Sequence, residues 1–172
     1  MYITLESERL RLRPIRLDDA GFIHELVNSS GWLKFIGDRK VNNKADAEKY
    51  IQSILNKPNY HYTVFELKSS GQAAGIVTFL HRDDEPCPDI GFAMLPEFEK
   101  QGFALEASQA YLDSIKASKL YGNVIAVTKP DNTKSINLLN KLGLMYIGDR
   151  EKGKEVLSYY SLQKFELANK IH

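Results

Sequence analysis

One stretch constrains the fold of this chain more than any other: Asp89-Ile-Gly-Phe-Ala-Met-Leu-Pro-Glu-Phe-Glu-Lys-Gln-Gly-Phe-Ala-Leu-Glu-Ala107. Residues 88–95 are rich in apolar side chains and end at Pro96, which reads as a strand. From Gly102 the period changes: Ala104, Ala107, Tyr111 and Ile115 fall on one helical stripe, which predicts a helix reaching Ser118. Residues 123–128 form a second short apolar run. Strand, turn, long helix and strand in that order make a βαβ unit, whose two strands lie parallel under the crossing helix.

The remaining patterns surround that unit with hairpins and helices. Leu10, Leu12 and Pro14 alternate with Arg9, Arg11 and Arg13, so residues 5–15 read as an opening strand with one wet face. Asp18 and Asp19 mark a helix start, and residues 19–29 place Ala20, Ile23, Leu26 and Val27 at helical spacing. A second helix is expected over 43–55. Between the two, Gly31-Trp-Leu-Lys-Phe-Ile-Gly37 is expected to pack against the body, the alternative being a cover over a cleft. Residues 60–67 and 72–81 read as strands joined by the turn Ser69-Ser70-Gly71. A helix over 133–142 stopped by Gly143, and strands over 144–148 and 155–162, close the chain. The expected fold is α/β, a mixed, mostly antiparallel sheet flanked by helices, in one domain over 1–167 with a tail at 168–172.

Composition narrows function. With 43% hydrophobic residues the 172-residue chain can bury a core. Its formal net charge of +1 lacks the basic excess that would neutralise many phosphates, so nucleic acid is not expected as a partner. The longest apolar run, residues 73–80, is far too short for a membrane span. The single cysteine, Cys87, forms no internal disulfide and fits a reducing cytoplasm. His24, His61, His81 and His172 show no metal-ligand spacing, so no metal is expected.

Gly102 and Ala104 leave the turn before the long helix uncrowded. Backbone N–H groups of Gln101, Gly102, Phe103, Ala104 and Leu105 can then point at an anion beside the positive helix end. One exposed charge there is worth only ~0.3–1 kcal/mol, so useful affinity asks for several N–H contacts or a diphosphate. No G-x-x-x-x-G-K-[ST] or strand-borne G-x-G-x-x-G points to a mononucleotide or dinucleotide instead. Taken alone, Gly-x-Ala means a plain turn.

A second element changes that weight: Asn132-Thr-Lys-Ser-Ile-Asn-Leu-Leu-Asn-Lys-Leu-Gly-Leu144, placed after a strand and a Lys129-Pro-Asp turn. With it, the sequence resembles the GNAT N-acetyltransferase superfamily. Members have a strand, a Q/R-x-x-G-x-G/A pyrophosphate loop and helix, a strand, then an N-x-x-[AS] helix. Glu8-Arg-Leu-Arg-Leu-Arg-Pro14, Asp89-Ile-Gly-Phe92, Gly102-Phe-Ala-x-Glu-Ala107 and Asn132-x-x-Ser135 are most similar to the ribosomal-protein-alanine N-terminal acetyltransferase-like subgroup. One position departs: Glu99 stands where the family has Gln or Arg.

The resemblance implies that Phe92, Met94 and Leu95 offer strand backbone to the pantetheine arm of acetyl-CoA, while residues 101–105 hold its pyrophosphate. It places Asn132 and Ser135 near the thioester; read without it, Asn132 is a helix N-cap. Direct attack by a primary amine needs a proton acceptor, an oxyanion donor and a proton for the leaving thiolate. Asp89 is the first candidate base, with Asp83, Asp84 and Glu85 crowded before it. A strand N–H would serve the oxyanion. Ser135 or a water would protonate the thiolate, because Leu139 occupies the place where many relatives carry a tyrosine.

The implied partners are acetyl-CoA and an amine, most plausibly a peptide or protein N-terminal α-amine. Small-molecule amines such as aminoglycosides or polyamines, a non-catalytic acyl-CoA-binding regulatory module, and a homodimer stay open.

Overall fold

The computed structural model describes residues 4–163. The expected tail at 168–172, and the end of the expected domain at 164–167, lie outside the described residues. The opening alternation folds as two strands, β1 (Leu5–Glu6) and β2 (Leu10–Pro14). The Ser7 N–H and hydroxyl both donate to the Leu10 carbonyl and close the turn between them. Leu10 and Leu12 are buried and Arg11 is exposed, as period two requires.

A 3-10 turn, Leu17–Asp19, leads into α1 (Ala20–Val27), which buries Ala20, Ile23, Leu26 and Val27. The buried Asp19 accepts from both terminal nitrogens of Arg13, at 2.8 and 2.7 Å, and this fork pins the helix start to β2. The Gly31-to-Gly37 segment contains a further short helix, α2 (Ser30–Phe35), capped by the Ser29 hydroxyl. Its Trp32 packs inward and donates its indole N–H to the Gly37 carbonyl at 3.0 Å. Asn43 caps α3 (Lys44–Leu55) by accepting from the Asp46 N–H at 2.9 Å.

Then follow β3 (Tyr60–Leu67), β4 (Ala73–Leu80), β5 (Asp89–Met94), α4 (Phe103–Ser118), β6 (Ile125–Thr128), α5 (Thr133–Lys141), β7 (Met145–Lys152) and β8 (Glu155–Ser161). The eight strands make one sheet in the order β1-β2-β3-β4-β5-β6-β8-β7. Among the described residues only β5 and β6 pair in parallel, as the βαβ reading requires.

Cross-strand partners share a face of a sheet. The pairs Tyr60 with Leu80 and Leu80 with Asp89 therefore put these three side chains on one face, which α3 covers with α1 packed against it. Phe79 and its partner Ile90 lie on the other face, against α4, where the Phe79 and Tyr111 ring centroids are 5.9 Å apart. Three layers result.

Candidate functional site

β5 and β6 pair at a single position. Asp89 lies opposite Ile125, whose N–H donates to the Pro88 carbonyl at 3.0 Å, and beyond this point the strands diverge. The ladder to β4 settles which β5 groups face the opening. Leu95 donates its N–H to Ala74, so with strand alternation the N–H and C=O of residues 89, 91 and 93 also turn toward β4. Those of Phe92 and Met94 turn into the gap. Leu95 stands apart from these two, because its N–H goes to Ala74 and its carbonyl accepts from Phe98.

At the far end of β5 a 3-10 turn, Pro96–Phe98, delivers the chain to Glu99, Lys100, Gln101 and Gly102. Gly102 is the N-cap of α4 with φ +83°, and Lys100 is also left-handed at φ +63°. Among the described residues the N–H groups of Gln101, Gly102, Phe103, Ala104 and Leu105 find no acceptor; the first to close is Glu106, onto the Gly102 carbonyl at 3.0 Å. Five successive donors at the N-terminus of a 16-residue helix suit a diphosphate. No side chain from position 99 assists, since Glu99 instead pairs with Lys134 of α5 at 2.5 Å.

Asn132 caps α5, its side chain accepting from the Ser135 N–H at 3.2 Å, so the capping role is realised. Its amide nitrogen donates to no group among the described residues. Ser135 is half-buried in the first helical turn, whereas Leu139, one turn on, is buried in the core. Both polar residues sit beyond the end of β6, across the gap from the Met94 end of β5.

Asp89 occupies the opposite, paired end of the gap. It is buried, and burial pushes its carboxyl up to about 6; Arg82 opposes the shift and Glu85 adds to it. Arg82 Nε lies 3.0 Å from Asp89 Oδ2 as an ion pair, but the N–H is not aimed along a hydrogen bond and that oxygen has no directed donor. Glu85 is buried too and accepts from Lys152 at 2.9 Å and from the Tyr159 hydroxyl at 2.8 Å, tying the β4–β5 loop to the β7–β8 hairpin. Asp83 and Asp84 are exposed.

Arg82, Asp83, Asp84 and Lys152 form one wall of a cavity of about 670 Å³ whose other walls are Tyr50 and Ile54 of α3 and Tyr60 and Tyr62 of β3. Its volume is that of an ordinary small-ligand site.

A family model described as an acetyltransferase (GNAT) domain matches residues 9–145, most of the chain. The chain belongs to the GNAT acetyltransferase family. It is 29% identical to an uncharacterized N-acetyltransferase, p20, of Bacillus licheniformis, over 96% of this chain and 98% of that protein. To another, YnaD of Bacillus subtilis, it is 26% identical over 84% and 82%. Among solved structures, a GNAT acetyltransferase from Bacillus anthracis superimposes with a TM-score of 0.77 at 26% identity, over 94% of this chain and 97% of that one. RimL, a ribosomal L7/L12 alpha-N-protein acetyltransferase in complex with coenzyme A, gives 0.80 at 16% identity, over 94% and 97%. A chimera of the spermidine N-acetyltransferase SpeG from Vibrio cholerae gives 0.75 at 16%, over 90% and 95%.

Two parts of this GNAT chain escaped the sequence reading. One is the clamp of Ser7 and Arg9 on Glu106, across a separation of nearly a hundred residues. Arg9 and Glu106 lie inside the motifs that carry the family resemblance, Ser7 just before one of them, but spacing alone does not pair them. The other is the cavity, whose tyrosines are spread over α3 and β3 with no common motif. Cys87 is half-buried and burial raises its thiol, which removes the thiolate that nucleophilic catalysis would use. Among the described residues no group of His, Cys, Asp and Glu is arranged to hold a metal, and no helix is long and apolar enough to cross a membrane.

Proposed function

We propose that this GNAT acetyltransferase moves acetyl from acetyl-CoA to the α-amine of a peptide or protein N-terminus, in a reducing cytoplasm, with the acceptor seated in the cavity between α3 and the β4–β5 loop. The observation that carries the reading is the position of Asp89. It marks the apex where β5 and β6 part, and it shares a face of β5 with the cavity and with Gly91. Acetyl-CoA, when bound, supplies an activated acyl group on an arm long enough to run down the gap.

The chain's own groups divide the remaining work. N–H groups of residues 101–105 hold the diphosphate, and Phe92 and Met94 offer strand backbone to the arm. The Phe92 N–H is placed to stabilise charge on the carbonyl oxygen, a kind of donor typically worth ~2.7–4 kcal/mol. The acceptor approaches from the Asp89 face of β5, past Gly91, where the Thr78 hydroxyl of β4 stands 2.7 Å from the position a Cβ would take. Asp89 takes the amine proton, and Ser135 or a water hydrogen-bonded to it supplies one to the thiolate.

The base selects among amines. An α-amine with pKa ~8 costs about 1.4 kcal/mol to deprotonate at pH 7, whereas a lysine costs about 4.6 kcal/mol. A carboxylate near 6 suits the first. The cavity lining, with Arg39, Lys57, Arg82 and Lys152 against Asp83 and Asp84, disfavours a polycation. Even with Glu85 and Asp89 added, carboxylates only match the cations. RimL acts on a protein α-amine and SpeG on spermidine; the lining favours the RimL-like chemistry.

The test is an acceptor panel read by mass spectrometry: peptides with a free N-terminus, the same peptides Nα-blocked but containing lysine, and spermidine. Acetylation of the free N-termini alone is expected. Preferential acetylation of spermidine overturns the acceptor assignment, and hydrolysis of acetyl-CoA unaffected by any amine overturns transfer itself.

A further inference from the structure

The Arg9 side chain packs against the glycine turn and contacts residues on both sides of Gly102. Its Nη1 donates to the Gln101 carbonyl at 3.0 Å and its Nε to Glu106 Oε2 at 2.7 Å, while its backbone N–H donates to Glu106 Oε1 at 2.8 Å. The guanidinium lies over the Phe103 ring, 4.5 Å from the centroid. Arg9 Nη2 stands 3.4 Å from where a Cβ on Gly102 would be. The Ser7 hydroxyl completes the clamp, donating to Glu106 Oε1 at 2.8 Å.

Two consequences follow from bonding alone. A trans peptide points its C=O and N–H in opposite directions, so holding the Gln101 carbonyl on Arg9 turns the Gly102 N–H away from the clamp, to the open side of the turn. Glycine lets the peptide on either side rotate cheaply, and this anchor removes that freedom. Second, Glu106 lies in the first turn of α4, where its charge suits the helix dipole but repels an incoming anion. Burial pushes the Glu106 carboxyl up, yet hydrogen bonds from the Arg9 backbone, Ser7 and the Arg9 side chain outweigh it and hold the group below its ordinary value. It therefore stays ionised and needs a countercharge in place.

We propose that Arg9 is a positioning residue for acetyl-CoA: it fixes the Gln101–Gly102 peptide with its N–H toward the diphosphate and cancels the Glu106 charge beside it. This rests on the reading of residues 101–105 as the diphosphate site. It supplies, from the opposite end of the chain, the cation that Glu99 does not.

The experiment compares two acyl donors, acetyl-CoA and S-acetylpantetheine, which ends before the diphosphate. Steady-state kinetics and thermal unfolding are followed for the wild type, Arg9→Met and Arg9→Lys. Arg9→Met is expected to raise KM for acetyl-CoA about tenfold with kcat within about twofold, and to leave kcat/KM for S-acetylpantetheine unchanged. Arg9→Lys keeps a charge for Glu106 but lacks the fork, so a smaller loss confined to acetyl-CoA is expected; it carries the test if the Met variant does not fold. An equal loss with both donors means a merely structural role and overturns the proposal, as does an unchanged KM. If the wild type itself uses both donors equally well, the diphosphate site fails and the Arg9 assignment falls with it, an outcome distinct from the other two.

Discussion

Asp89 is the residue on which acid–base behaviour turns. Its folded-state pKa of about 6 lies above the ordinary unfolded value of ~3.9, so the folded chain holds this proton more tightly than the unfolded one. The stabilisation this group gives is therefore present below about pH 4 and lost as pH rises through 6, a swing of about 3 kcal/mol. Asp89→Asn should remove that swing: urea unfolding at pH 4.5 and pH 7 should differ less in the variant than in the wild type. In the proposed catalysis the sign reverses, because Asp89 as a base works only when ionised. The wild-type kcat/KM should rise through an apparent pKa near 6, and Asp89→Asn should lose the limb with a rate loss on the order of 10²–10⁴-fold. An acid limb that persists in the variant assigns the base elsewhere. Asp89 was legible as a candidate because it precedes Ile-Gly-Phe; its burial, and that of Glu85 but not Asp84, depends on how the loop folds back onto β8.

At the scale of elements, the periodic segments were readable and the aperiodic ones were not. The stripe Ala104, Ala107, Tyr111 and Ile115 is buried as spacing requires. The break between β1 and β2 was invisible because the alternation runs through it and Ser7-Glu8-Arg9 carries no turn glycine. The helix α2 was missed because its six residues, Gly31 among them, are too few to show a period. β7 extends to Lys152, beyond the expected stop at Gly148, because that glycine sits at φ +132° where the register with β8 shifts and the strand continues with polar residues. Strand β4 depends on one close approach. A Cβ on Gly75 would lie 2.3 Å from Phe65 Cζ and 2.4 Å from the Ala93 carbonyl oxygen. Since that oxygen is backbone of β5, the neighbour cannot yield. Gly75→Ala should cost about 1–3 kcal/mol of stability in urea unfolding, as overpacking does, and weaken acetyl-CoA binding by displacing β5. A variant of unchanged stability would show that the sheet can absorb the methyl group.

At the scale of the whole molecule, the proposed function draws on two junctions, one within the sheet and one at the start of α4. The parting of β5 and β6 opens a slot, and the left-handed turn before α4 places unpaired donors at its mouth. The sequence announces each junction locally, by Gly102 and by the strand–helix–strand order. The proposed acceptor cavity draws on α3, β3, the β4–β5 loop and β7, and that assembly exists only in the fold. The most direct test is a titration of ¹⁵N-labelled protein with coenzyme A, followed amide by amide. The account predicts that the resonances of Gln101, Gly102, Phe103, Ala104 and Leu105 move furthest, together with those of Phe92 and Met94. Saturable binding that leaves these seven amides in place, or no binding at millimolar coenzyme A, would contradict it.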